Sequence, residues 1–200
     1  LHELIRLGYV RQIADGGDYT LSIKLAALGL GFMRRAGIND VVQPILDRLA
    51  AESGELIRLS VIDSGALTWV AVAQGATTGL RYDPGQEQGV VVHLASSAGG
   101  RAWLAAMHDE EALEHVSAQG FGRDEGPGKP ISIPELLAIL KETRERGYSV
   151  AVSTYILGMA AMAVTVRYAD TDQILGCLSI AGPSAVSYTH LRAHETVLDL

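Results

Sequence analysis

Apolar positions along the chain fall into blocks of two different periods. Leu1, Leu4, Ile5 and Leu7 recur at helical spacing and stop at Gly8. Tyr9-Val10-Arg11-Gln12 and Tyr19-Thr20-Leu21 then flank Asp15-Gly16-Gly17-Asp18, which predicts a short hairpin whose paired glycines accept the positive φ of a tight turn. From Ser22 the helical period returns through Leu25, Leu28 and Phe32 and predicts a linker helix reaching Ala36-Gly37. A further helix carries Val41, Val42, Ile45, Leu46, Leu49 and Ala50, with Asn39 or Asp40 as the expected cap, Pro44 near its first turn and Ser53-Gly54 as its end.

Beyond Gly54 the period drops to two. Ile57, Leu59 and Val61 share one face and Arg58 and Ser60 the other, Asp63-Ser64-Gly65 makes a turn, and residues 67–73 return, which predicts a β-hairpin. Residues 77–82 read as a third strand, broken by Asp83-Pro84-Gly85. Ala95-Ser96-Ser97-Ala98-Gly99-Gly100 leads into the helical run Arg101-Ala102-Trp103-Leu104-Ala105, and a short acidic helix follows at 110–117. Residues 119–130 are loop-like. Ser132-Ile133-Pro134-Glu135 is a capping box opening a helix through Leu136, Leu137, Leu140 and Arg144 to Gly147. Strand-like segments at 148–152, 160–168 and 174–181 close the chain. This order predicts an α+β fold, a mostly antiparallel sheet covered by helices.

With 200 residues, 48% hydrophobic and 20% charged, the chain can bury a substantial core. Its net charge of −7 argues against a surface built throughout for nucleic acid, so DNA contact is local or made elsewhere. The single cysteine, Cys177, excludes an internal disulfide framework and a cysteine-based zinc site, which suits a reducing, cytoplasmic setting. No apolar run has the roughly 18 residues needed to span a bilayer, so no membrane partner is expected. The start at Leu1, inside a helical pattern, reads as that of a fragment.

The chemistry of greatest interest lies at residues 95–105. A loop feeding a helix N-terminus presents unpaired backbone N–H groups and the positive end of the helix dipole, so it can hold a carboxylate or phosphate. Ser97 is the expected N-cap; the plainer reading is a capped helix in a packed domain. Arg101 is expected to face solvent. His93 with Ser96 or Ser97 suggests a hydrolase, but Gly-x-Ser-x-Gly is absent. Cys177 in an apolar strand reads as a small buried hydrophobe. Met159, Ala161 and Met162 either line a pocket or fill the core, and Arg81-Tyr82 is either a pocket wall or a strand end.

Several of these stretches resemble, in order, the IclR-type transcriptional regulators. Leu4-Ile5-Arg6-Leu7-Gly8-Tyr9-Val10 is similar to the end of that family's recognition helix and the start of its wing. The run Pro44-Ile45-Leu46-Asp47-Arg48-Leu49-Ala50-Ala51-Glu52-Ser53-Gly54-Glu55 resembles the first helix of its effector domain. Gly100-Arg101-Ala102-Trp103-Leu104-Ala105, Arg146-Gly147-Tyr148, Gly158 and Leu178-Ser179-Ile180-Ala181-Gly182-Pro183 follow at about the family's spacing. The resemblance implies a remnant of a winged helix-turn-helix at 1–21, a linker helix at 22–37 and a GAF-like effector-binding domain at 38–186.

It further implies a homodimer or homotetramer that binds a small organic acid, aromatic ones included, and reaches operator DNA through the intact parent protein. The effector pocket carries over to Val92, Ala98, Gly99, Ala151, Met159, Ala161, Ser179 and Ala181, and Arg11 to the DNA-binding remnant. No cofactor, metal or catalytic residue is implied. Many members have a histidine where Ala95 stands and an acidic residue near Ala151 or Val152, so this chain has fewer polar anchors. Residues 187–200 do not resemble the family's closing helix and read as a non-native tail. The metal-like spacing of His190, His194 and Glu195 falls within it. The competing readings are a small hydrolase or transferase using Ser97 or Cys177, and a ligand-free oligomerisation module.

Overall fold

The computed structural model describes residues 1–13, 17–77, 81–83, 85, 87–122 and 131–185, with Asn39 described by its backbone. The chain divides into two compact units, Leu1–Pro44 and Ile45–Leu200.

In the first unit, α1 (His2–Arg6) turns at Gly8 (φ +75°) into β1 (Val10–Gln12), which pairs antiparallel with β2 (Tyr19–Leu21). The turn between the strands falls at 14–16, outside the described residues. Ser22 fastens the hairpin to the next element: its hydroxyl donates to the Gly8 carbonyl at 2.6 Å and its N–H to that of Tyr9 at 2.8 Å. Then follow α2 (Ile23–Arg35), a π-helical turn (Ile38–Val42) and the start of α3 (Gln43–Ser53), whose residues from Ile45 on belong to the second unit. The expected cap at Asn39 or Asp40 is displaced: helical structure begins at Ile38, with Gly37 at φ 72° in the N-cap position. Pro44 supplies the reason. It has no N–H for the carbonyl of residue 40 and its ring crowds that carbonyl, so the chain takes a wider turn in which Val42 N–H reaches Gly37 at 3.1 Å.

The second unit is a five-stranded antiparallel sheet in the order β4-β3-β7-β6-β5. Its strands are β3 (Leu56–Asp63), β4 (Ala66–Gln74), β5 (Ser149–Val152), β6 (Met159–Arg167) and β7 (Ile174–Pro183). The β3/β4 hairpin closes through Ser64 (φ 49°) and Gly65 (φ 77°), two consecutive positive φ angles that match the right-handed strand twist. The expected strand at 77–82 is absent from residues 77, 81 and 82, and 78–80 lie outside the described residues. Instead the chain at 89–92 borders β4, with Gly89 N–H and Val92 N–H donating to the carbonyls of Trp69 and Leu67.

Helix α4 (Ala98–Ala105) lies against β5, β6 and β7 and against α6 (Ile133–Arg146), and each of its eight residues is buried. Such close packing needs small side chains on both surfaces. The helix offers Ala98, Gly99 and Ala102, and the sheet offers Ser60, Cys177, Ala163 and Ser149. The acidic α5 (Asp109–Gln119) and α6 complete the helical layer, α6 with both halves of its capping box made. Among the described residues, no helix is long and apolar enough to cross a membrane.

Candidate effector pocket

The sheet register builds the floor of a cavity. Ala151, Ala161 and Ala181 are direct cross-strand partners on β5, β6 and β7, so three adjacent strands carry a methyl group at the same level. Ser179, two residues from Ala181, sits opposite Arg58 on β3. Ser97, Ala98 and Gly99 form the roof at the start of α4, and Trp69 with Tyr155, Ile156 and Met159 complete the lining. The cavity is partly open and its volume is about 30 Å³, room for one or two water molecules. A larger guest fits wholly inside only if lining side chains shift.

Of the residues proposed from the sequence, Ala98, Gly99, Ala151, Met159, Ala161, Ser179 and Ala181 line this one cavity. Val92 does not. It is fully buried in the core cluster with Leu67 and Leu94, and its N–H is spent on the Leu67 carbonyl at 2.7 Å. Arg11 lies exposed in β1, in the other unit.

The wall residues sequence reasoning missed are Arg58, Trp69, Tyr155 and Ile156. Alternation put Arg58 on a polar face, whereas β3 is an interior strand whose first five residues are buried, and Arg58 is only 5% exposed. The available signal was the apolar company: β3 is bordered in sequence by the hydrophobic β4, and its partner β7 is equally apolar. The Arg58 guanidinium lies 4.7 Å from the Trp69 ring centre and 5.6 Å from that of Tyr82, within cation–π range of both. Tyr155 meets Trp69 edge-on, with centroids 5.4 Å apart.

Arg58 Nε stands 3.0 Å from Glu87 Oε2, yet neither atom has a hydrogen-bond partner, so the contact is a charge pair out of hydrogen-bonding alignment. Glu87 Oε1 accepts from the Tyr82 hydroxyl at 2.8 Å. Burial pulls the Arg58 pKa down and outweighs the opposing pull of Glu87. Burial and then the hydrogen bond to Glu87 push Tyr82 up to about 12. Of the Arg81-Tyr82 pair, Tyr82 thus approaches Arg58, while Arg81 donates to the Ala76 carbonyl at 3.3 Å.

The start of α4 is more committed than its sequence suggests. Ser97 caps the helix by accepting from Gly100 N–H at 3.0 Å, which removes one donor from the expected anion-holding loop. Thr154 donates to the Ser96 carbonyl at 2.7 Å, and Ser149 to that of Ala98 at 2.6 Å, tying the roof to the β5–β6 side. Arg101, expected in solvent, is 4% exposed. It donates through Nε to Ala95 O at 2.9 Å and through Nη1 to Val150 O at 3.0 Å, and burial lowers its pKa to about 10.

Ser97 and Cys177, the residues a hydrolase or transferase would use, are otherwise engaged. Ser97 is the helix cap, and the Cys177 thiol is fully buried with its pKa pushed up to about 12 by desolvation. His93 Nδ1 is 2.8 Å from Ser96 Oγ, and its Nε2 faces the carbonyls of Gly120 and Gly122 at 3.1 and 3.2 Å. Donation by Nε2–H to those carbonyls leaves Nδ1 to accept from the Ser96 hydroxyl. His190, His194 and Glu195 lie outside the described residues.

Comparison with known proteins adds a sequence profile and structural neighbours. The profile described as bacterial transcriptional regulator IclR C-terminal matches residues 31–197. The Transcriptional repressor IclR of Escherichia coli K12 is 27% identical over 178 residues, which are 88% of this chain and 63% of the relative. The chain therefore spans less than two thirds of that protein's length. An IclR family transcriptional regulator from Brucella abortus superimposes with a TM-score of 0.72 at 27% identity, over 92% of this chain and 66% of that one. The inducer-binding domain of a PobR double mutant from Acinetobacter, solved with 3-hydroxybenzoic acid, superimposes with a TM-score of 0.60 at 21% identity, over 73% of this chain and 83% of that one.

Proposed function

The chain belongs to the IclR family of bacterial transcriptional regulators, and on that premise we propose that its second unit senses a small organic acid, aromatic acids included. One observation carries this reading: a buried guanidinium, Arg58, lines a cavity whose floor is three alanine methyls. A carboxylate is the natural partner for the guanidinium and for the N–H groups of Ala98 and Gly99 at the helix start. The body of the acid rests on Ala151, Ala161 and Ala181, against Trp69, Tyr155 and Met159. The 3-hydroxybenzoic acid in the PobR domain supports the aromatic end of this class, since a domain of the same fold takes such a guest.

The cavity's volume of about 30 Å³ is too small to take in the whole of any of these acids. Full entry of the acid therefore displaces Tyr155 or Ile156, in the 153–158 stretch joining β5 to β6, or Met159 at the start of β6. A ligand that requires such a shift has unequal affinity for two states, which is the condition for it to regulate anything. In the intact parent, a homodimer or homotetramer, the shift alters how operator DNA is held; Arg11 belongs to the DNA-binding remnant. A thermal-shift screen of the chain against a panel of organic acids, followed by operator binding of the intact parent, tests the reading. Stabilisation by one chemical group of acids is expected. A flat response across the panel overturns it.

A further inference from the structure

The Arg58–Glu87 pair has an arrangement that a purely structural ion pair does not need. The guanidinium lies within cation–π distance of two aromatic rings, its side chain is only 6% exposed, and it still has no hydrogen bond from Nε. Its carboxylate partner is close but out of alignment, and is held by its other oxygen to the Tyr82 hydroxyl. Glu87 is also the nearer of the two to water, with a side chain 12% exposed against 6% for Arg58. We infer that Glu87 is a resident competitor for the effector's carboxylate: an acidic effector binds Arg58 by exchanging with Glu87, which moves out towards solvent.

This inference rests on the acid-sensor reading above. Charge counting favours the exchange. With Glu87 in place the buried pair is neutral, and a second carboxylate at the same guanidinium would leave one net negative charge in a poorly solvated site. Exchange keeps the site neutral, and it replaces a misaligned contact with one free to adopt the two-pronged geometry that guanidinium and carboxylate favour. Glu87 then sets the affinity threshold and favours anions over their neutral isosteres, because only an anion can take its place.

The test is calorimetric titration of the full chain with pyruvate, benzoate and 3-hydroxybenzoate, each beside its amide, for wild type, Glu87→Gln and Tyr82→Phe. Glu87→Gln should bind an acid about tenfold tighter or more, while its amide changes by less than about twofold. Tyr82→Phe frees Glu87 from its tether and should shift acid affinity the same way by a few fold, which covers the case of a Gln variant that folds poorly. Equal acid binding by wild type and both variants, or acid and amide moving together, overturns the exchange and leaves the sensor reading standing. An acid that binds only the Gln variant supports the exchange. Binding of no acid to any of the three proteins overturns both.

Discussion

Arg101 reaches from the first turns of α4 to the carbonyl oxygen of Val150 on the edge strand β5, Nη1 to O, at 3.0 Å. The same side chain closes on Ala95 O at 2.9 Å, so one guanidinium ties the loop before the helix, the helix itself and the end of the sheet. These are also the parts that roof and floor the cavity, which makes Arg101 its brace.

Replacing Arg101 with Met removes two hydrogen bonds from a charged donor, each worth roughly 1.5–3 kcal/mol, and leaves two carbonyls without it. A loss of about 3 kcal/mol is expected, seen as a fall of about 10 °C in the thermal midpoint of a unit this size. Lys at this position should recover little, since one ammonium cannot reproduce the fork. A midpoint within about 2 °C of wild type for the Met variant would show that the brace carries no weight.

The paired glycines of α4 should differ sharply when each is changed to Ala. A Cβ at Gly100 would stand 2.3 Å from Leu94 O and 2.4 Å from Leu94 Cα, backbone atoms that cannot yield, and a loss of about 3 kcal/mol or more is expected. A Cβ at Gly99 meets Leu67, Cys177 and Ser60 side-chain atoms at 3.6 to 3.7 Å, ordinary contact, and should leave stability within about 0.5 kcal/mol. Urea unfolding of the two variants side by side checks the contrast.

These two residues also mark how far the sequence could be read. The α+β order, the β3/β4 hairpin, the Ser132 capping box and the Ser97 cap follow from local rules, and local rules are legible in local sequence. Arg58 and Arg101 were misplaced because arginine in a strand or a first helical turn usually faces water. Long-range packing buries both: α4 on the sheet for Arg101, and Trp69, Tyr82 and Glu87 around Arg58. The alanine row is another such fact: Ala151, Ala161 and Ala181 are far apart in sequence and become neighbours through strand register alone. The π turn at Ile38–Val42 lay nearer to hand, since Pro44 was visible and its effect on the preceding turn is steric.

Val92 separates packing from binding. Val92→Ala should cost about 2 kcal/mol through the void it leaves under Leu67 and Leu94, yet change acid affinity by less than about twofold once the protein is folded. A large loss of affinity in the folded variant would return Val92 to the cavity wall.

Cys177 should behave as a core atom. Its thiol pKa is raised to about 12 by burial, against an ordinary value of 9.0. The protonated thiol is thus favoured in the folded state, so this contribution to stability is intact below pH 9 and is lost as pH rises towards 12. At pH 8 the native chain should resist a thiol reagent such as dithiobisnitrobenzoate for as long as it stays folded and react at once in denaturant. Rapid native labelling would reopen a thiol-based activity.

The claim that the alanine-floored cavity is where an acid binds has a direct test in Ala161→Leu. Ala161 sits in the middle of the row, so a larger side chain there fills the space over β6 while leaving the strand's hydrogen bonds in place. Calorimetric titration of wild type and Ala161→Leu with whichever acid stabilises the chain most in the thermal screen should give saturable binding to the first. The second, with its thermal midpoint unchanged or raised, should give none. Equal binding to both proteins would contradict the placement of the effector in this cavity.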